Sequence, residues 1–482
     1  MADVVILGGG IAGMRVALDV AAGGKSVTLV EAGLVGGESP YLACVPSNSL
    51  LRSARAGHTW ENAVGRRDAM ISWLDDSPAA ARLAGAGVEL VRGPGRVTGP
   101  GKVEANGEIL GYQDLVIAAG SEPVAPPIKG LSADGLSAAG SGVPVWTSAQ
   151  ALTCPSLPRR LIILGGGPAG CELAQIYGTF GTKVTLVEAA DRLLPAEPAF
   201  AGEFLARVLR QTGVDVRTCA FCSRVAPDGH GIALSLAGGA VITADRLLLA
   251  CGRRPRLTGL GLDQIGIDVP PGGPLPVDGA GRVMAGTGGQ RVWAAGDVTG
   301  TGHTHVARYQ ARIVAKNVLR AQAAAPGSVS PRALATADYR ALPRTVHTDP
   351  QVFAVGLTPQ AAAATGLRLR VAGAPLAGTT RATLDGAAAG YVEMYAEADS
   401  GVLAGAVAVG PDAADWMAET TLAVRARIPV TMLADVVHSF PAHGEVLEGP
   451  LRELVSQAAA TGAAIKVPAA RTAAARTREV GR

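Results

Sequence analysis

Short apolar runs that end on glycine, followed by a helix-length stretch and a second apolar run ending on an acid, occur twice along the chain. The first copy runs from Asp3 to Leu7, through Gly8-x-Gly10-x-x-Gly13, to Val27-Thr28-Leu29-Val30 and Glu31. The second runs from Leu161 to Leu164, through Gly165-x-Gly167-x-x-Gly170, to Val184-Thr185-Leu186-Val187 and Glu188. Such runs predict buried strands, and the glycine-led stretches predict helices between them. The acid follows the third glycine by 18 residues in both copies, so the pattern predicts two units of one kind. Farther on, apolar residues alternate through Gly390-Tyr391-Val392-Glu393-Met394-Tyr395, which fits an antiparallel strand with one solvated face.

A lone G-x-G-x-x-G is weak evidence in a glycine-rich chain. Here each copy follows a strand, opens a helix and carries an acid near the offset of about 20 residues found in dinucleotide-binding units. Missing side chains let backbone N–H groups approach a pyrophosphate, and the helix N-terminus favours its charge. Glu31 and Glu188 are then acceptors for ribose hydroxyls; the bland reading makes each a solvated strand end. A carboxylate at Glu188 repels a 2′-phosphate, so NADH is expected over NADPH, with Arg192 nearby moderating the preference.

Composition narrows the class. The chain has 482 residues, 48% hydrophobic, with 64 glycines and 17% charged residues, which describes an α/β protein of about three domains rather than a disordered one. The 43 basic residues nearly balance 40 acidic ones, which argues against nucleic acid or an anionic membrane as the main partner. Arg471, Arg476, Arg478 and Arg482 gather in a tail, 466–482, read as a frayed end. No signal-peptide pattern precedes Gly8 and no uncharged run is long enough to span a bilayer, so a cytoplasmic location is expected. The cysteines at 44, 154, 171, 219, 222 and 251 follow no secreted spacing and are expected to be reduced and mostly buried. Cys219-Ala220-Phe221-Cys222 is a C-x-x-C without a second pair, read as chance.

The stretch Gly36-Gly37-Glu38-Ser39-Pro40-Tyr41-Leu42-Ala43-Cys44-Val45-Pro46-Ser47-Asn48 resembles the G-G-x-C-x-x-x-x-C-x-P-S-K segment of the flavoprotein disulfide reductases. Ser39 stands for the first cysteine and Asn48 for the lysine. Asp114 to Pro123, with Ala119 and Gly120, resembles the family's A-T-G-S-x-P link, and Ala250-Cys251-Gly252-Arg253-Arg254-Pro255 resembles its A-x-G-R-x-P segment. Val292 to Thr299, with Gly296 and Asp297, is similar to the second FAD motif, whose aspartate binds the ribityl chain in the family; a helix cap is the bland alternative. The resemblance implies two Rossmann-like α/β domains, for FAD (1–150 and 285–335) and NAD (151–284), and an α+β dimerisation domain (336–465). Homodimerisation and FAD are implied by the resemblance alone.

The resemblance also shows what has changed at the chemical centre. A serine hydroxyl has no disulfide state, so thiol exchange cannot run through Ser39. Cys44 remains, at the position over the flavin in the family: a remnant, a flavin contact or a lone redox sulfur. Glu172 matches the glutamate that pairs with the lost lysine beside flavin N5, and is expected to find another donor or hold its proton more readily. Pro168 stands where many relatives carry a gating tyrosine. The family's H-x-H-P-x-x-x-E segment reads His438-Ser439-Phe440-Pro441-Ala442-His443-Gly444-Glu445. Phe440 cannot move a proton, which leaves His443, with Glu445, or His438 as substitutes. Thr304 or His305, after Asp297, is expected to contact the flavin or to cap a helix. His303 and His305 lack the further ligands a metal needs, and no metal is expected. The expected function is transfer from NADH through FAD to a non-disulfide acceptor such as a quinone. The alternatives are a dehydrogenase or oxidase of a specialised metabolite and a regulatory protein that keeps both nucleotides as ligands.

Overall fold

The computed structural model describes residues 2–131, 145–229, 231–284, 291–323, 334–386 and 389–460; the expected tail lies outside the described residues. The chain forms two compact units, one of Met1–Tyr339 with Val346–Asp349, the other of Arg340–Thr345 with Pro350–Arg482.

In the first unit, five parallel strands make the first nucleotide-type sheet, in the order Glu89–Arg92, Val27–Glu31, Ala2–Leu7, Glu108–Ile117, Arg291–Ala294. Val4, Val5, Ile6 and Leu7 are at most 2% exposed, because both faces of the sheet are covered and the run is apolar throughout. On one face lie helices Ile11–Ala22 and Thr304–Ala323, burying Val16, Val20, Val314 and Val318; the other face packs on Val97, Val103 and Leu262. A second parallel sheet follows in the order Asp215–Arg217, Lys183–Val187, Arg160–Leu164, Arg246–Leu249, Val145–Trp146. Both predicted strand–helix–strand repeats are present, with the second helix spanning Pro168–Thr179.

Two stretches pack across the expected domain boundaries. Val145–Trp146 pairs in the second sheet, ahead of residue 150. Leu262, Ile265, Ile267, Leu275 and Val283 enter the first core, ahead of 285. Their apolar pattern did not say which core they would join. Antiparallel pairing of Arg253–Pro255 with Ser121–Pro123 links the two halves.

The second unit carries a five-stranded sheet in the order Pro343–Val346, Gln351–Gly356, Leu403–Gly410, Tyr391–Glu397, Leu369–Pro375. The expected alternation holds through Met394 and fails at Tyr395. Tyr395 and Ala396 are both fully buried where the register shifts between them. Among the described residues no helix is long and apolar enough to cross a membrane.

Asp114 pins the return of the chain to the first sheet. It is fully buried, and its carboxylate accepts from Arg291 Nε (3.0 Å) and Nη2 (2.8 Å), Trp293 Nε1 (2.9 Å) and Gln322 Nε2 (2.9 Å). Removing the acid leaves the buried indole N–H without its acceptor and the partly exposed guanidinium without its partner, a loss of about 1–3 kcal/mol. Asp114→Ala is therefore expected to lower the urea midpoint of the first unit clearly; an unchanged midpoint would show that the strand is held by packing alone.

Candidate active site

Both glycine motifs close in the same way. A Cβ on Gly13 would lie 1.8 Å from the Gly8 carbonyl oxygen, and one on Gly170 1.9 Å from that of Gly165. Only a bare Cα lets each helix come this close to its strand. The middle glycines face open ground: the nearest atom to a Cβ on Gly10 is Gly37 Cα at 3.8 Å, and Gly167 has nothing within 4 Å. Gly10 and Gly167 are the N-caps of Ile11–Ala22 and Pro168–Thr179, and neither helix has a side-chain cap. The first-turn N–H groups are thus left for a ligand, and a diphosphate fits that cradle. Pro168 occupies the first helical position, where it lacks only an N–H that helices leave free.

The two glutamates also match each other. Glu31 accepts from Gly9 N (2.5 Å) and Gly33 N (2.6 Å), Glu188 from Gly166 N (2.5 Å) and Ala190 N (2.7 Å). Each carboxylate therefore ties its glycine loop to the strand end, and keeps lone pairs for a ribose hydroxyl. This loop-fixing role is absent from the sequence reading. Arg192 is turned to Asp191 Oδ1 (3.0 Å) and the Pro195 carbonyl (3.2 Å).

Gly36 N donates to Gly9 O (2.8 Å), and a Cβ on Gly37 would meet Gly10 Cα at 2.7 Å. The segment bearing Ser39 and Cys44 thus starts on the first cradle. Asp297 opens a single turn, Asp297–Thr299, and accepts from Ser121 Oγ (2.6 Å). Gly296, with φ 84°, donates its N–H to Gln310 Oε1 (2.8 Å). Gly120 accepts from Arg256 N (3.0 Å) and Gly252 from Val124 N (3.1 Å), while Ala119 Cα lies 2.8 Å from where a Cβ on Gly8 would sit. Arg253 joins this group: it donates to Ser121 Oγ and the Ser121 carbonyl, both at 2.8 Å, and to Glu38. Sequence reasoning passed over Glu38, Ser121 and Arg253, although all three stand inside quoted motifs.

Thr304 lies between two candidate residues. Its hydroxyl donates to Ser39 Oγ at 3.0 Å and lies 3.4 Å from Cys44 Sγ. Cys44 is exposed and begins the helix Cys44–Arg55; Asn48 turns back to donate to its carbonyl (2.9 Å). Glu172 accepts from Ser47 Oγ (2.6 Å) and from the His347 backbone N–H (2.9 Å). The donors to Glu172 are therefore a hydroxyl and a backbone amide. His303 and His305 stack with ring centroids 5.3 Å apart.

The second unit holds the remaining candidates. His443 Nε2 lies 3.3 Å from Asp385 Oδ2, and Glu445 accepts from Arg381 N (3.3 Å), so these two residues are committed to different partners. The Arg381 guanidinium holds the Asp385 carboxyl below its usual range. His438 Nε2 lies 3.1 Å from Glu419 Oε2. Phe440 is 73% exposed.

All six cysteines are free, and only Cys171 is fully buried, which corrects the expectation of mostly buried thiols. Cys44, Cys219 and Cys251 sit at loop or helix ends, where the chain turns outward. The Cys251 thiol still turns inward onto the Leu164 carbonyl oxygen (3.2 Å), and burial pushes it up to about 11. Burial, with the charge of Glu172, raises the Cys171 thiol further.

Comparison with known proteins agrees with this geometry along nearly the whole chain. The family profile described as pyridine nucleotide-disulphide oxidoreductase matches residues 2–311, and that of its dimerisation domain matches 342–450. A dihydrolipoyl dehydrogenase of Thermus scotoductus is 33% identical over 95% of this chain and 98% of its own length. A mercuric reductase of Streptomyces lividans is 30% identical over 92% and 94%. Among solved structures, the HOCl-induced flavoprotein disulfide reductase RclA of Escherichia coli superposes with a TM-score of 0.81 at 26% identity, covering 93% of this chain and 99% of that one. With two nucleotide-binding α/β domains and a C-terminal dimerisation domain, the chain belongs to the pyridine nucleotide-disulphide oxidoreductase family.

Proposed function

We propose that this protein is a cytoplasmic, homodimeric FAD-dependent oxidoreductase that oxidises NADH and reduces a non-disulfide acceptor, a quinone or a similar small conjugated molecule. The observation that carries the reading is the pair of groups on Thr304: a serine hydroxyl, at Ser39, and a single thiol, at Cys44. Dithiol relay needs two sulfurs that exchange electrons as a disulfide, and Ser39 supplies none. The names of the relatives favour the rival reading, a disulfide or thiol-linked substrate, and the test below separates the two.

FAD, when bound, takes two electrons from a nicotinamide and returns them to an acceptor. The first cradle, at Gly8, Gly10, Gly13 and Gly37, is assigned to its diphosphate, Glu31 to its ribose, and Asp297, Ala119 and Gly120 to the link toward its ring. Gly165, Gly167, Gly170 and Gly252 serve the nicotinamide nucleotide in the same way, with Glu188 at the adenosine ribose. Thr304 orients Cys44, and His305 follows it at the start of the helix Thr304–Ala323. Ser47 fixes Glu172 as a carboxylate that orients rather than pairs with a cation. Dimerisation is supported by the match to the dimerisation domain and by the exposed apolar residues Val437 (94%), Phe440 (73%) and Leu422 (63%) on the second unit.

Anaerobic titration with NADH is expected to bleach the visible flavin absorbance, and a soluble quinone to restore it, whereas lipoamide and glutathione disulfide leave it bleached. Cys44→Ser is expected to keep quinone turnover within about threefold of the parent, a change of well under 1 kcal/mol in barrier. Sustained reduction of lipoamide, lost in Cys44→Ser, would overturn the reading. Cofactor choice is tested separately. Glu188→Ala is expected to raise the ratio of kcat/KM for NADPH to that for NADH by about tenfold, or roughly 1.4 kcal/mol; an unchanged ratio would remove Glu188 as the discriminating residue.

A further inference from the structure

We infer that His347 is the proton donor of this site, filling the role that Phe440 cannot; the inference rests on the quinone-reductase reading above. His347 lies in Val346–Asp349, four residues that pack with the first unit although the chain on either side belongs to the second. Its backbone N–H donates to Glu172 Oε1 (2.9 Å), the carboxylate whose other oxygen is held by Ser47. The rest of the segment is fixed from two helices. Arg55 donates through Nε and Nη2 to both oxygens of Asp349, each at 2.8 Å. The Gln175 side-chain amide closes a pair of bonds with the Asp349 backbone, donating to its carbonyl and accepting from its N–H, each at 2.7 Å. Val346 and Thr348 are buried on either side.

His347 itself is only half-buried, and its ring makes no hydrogen bond or ion pair among the described residues. His438 and His443, by contrast, are engaged with Glu419 and Asp385. A rigid backbone under an uncommitted imidazole is the arrangement a general acid requires, because the ring is placed but its nitrogens are free to trade a proton. The charged groups packed around the segment are Glu172 on the helix Pro168–Thr179, Arg55 on the helix Cys44–Arg55, and Asp349 beside it. Arg55 and Asp349 pair with each other, and Glu172 is held by Ser47 and by the His347 backbone.

The balance of the reaction calls for one such group. NADH supplies a hydride, equivalent to two electrons and one proton; reduction of a quinone to its hydroquinone takes two electrons and two protons. The second proton passes from the imidazolium N–H of His347 to a quinone oxygen, leaving neutral imidazole that water reprotonates.

The test uses the FAD-loaded protein and its His347→Gln and His347→Phe variants, with rapid mixing against NADH and then against menadione. Bleaching by NADH is expected to stay within about twofold of the parent, while reoxidation by menadione falls by roughly 10²-fold and loses its pH-dependent limb. Histidine-selective NMR gives a readout independent of turnover: the ring signal absent from His347→Gln is expected to shift when an unreactive naphthoquinone analogue binds. Normal reoxidation with an unchanged pH profile in both variants overturns the inference while leaving the wider reading intact. The same loss in His443→Gln but in neither His347 variant overturns it as well. A parent protein that NADH cannot bleach refutes the wider reading instead.

Discussion

The absence of a methyl group sets the geometry of both nucleotide units. Where Gly13 and Gly170 lie, a Cβ would be driven to within 2 Å of a carbonyl oxygen on the preceding strand end, a separation no real side chain tolerates. The helix can therefore sit directly on the strand, its unsatisfied N–H groups gathered over the cradle. The carboxylates at Glu31 and Glu188 then lock each loop by two backbone bonds. Gly37 presses on Gly10 beside this contact, and the segment that leads to the helix beginning at Cys44 starts there.

Beside that geometry, several neutral groups bond to one another. Ser39 accepts from the Thr304 hydroxyl, and Asn48 donates to the Cys44 carbonyl. Glu172 is satisfied without a cation. None of these side chains is therefore left as a stranded polar group, which would cost stability.

Much of this was readable from residue order, because glycine, strand and acid obey local rules. The two nucleotide units followed from spacing together with the flanking strands and helices, and the third domain from alternation and resemblance. What stayed hidden was contact between distant segments. Nothing local to Asp114 says that Arg291, Trp293 and Gln322 converge on it, nor that Arg253 reaches Ser121 and Glu38. His347 carried no motif, since its placement depends on Glu172, Arg55 and Gln175, none nearer than 172 positions in the chain. The thiols were misjudged for a related reason: cysteine is usually an interior residue, but here several occupy turns.

The excursion of Val346–Asp349 into the first unit bears on how such a chain can be divided or recombined. A cut near residue 340, the natural seam between the units, takes away four residues that complete the hydrogen bonding of Glu172, Arg55 and Gln175. The piece left behind would keep both nucleotide cradles yet expose a carboxylate, a guanidinium and an amide that were matched. A division of the chain at this seam therefore also removes hydrogen-bond partners from the first unit.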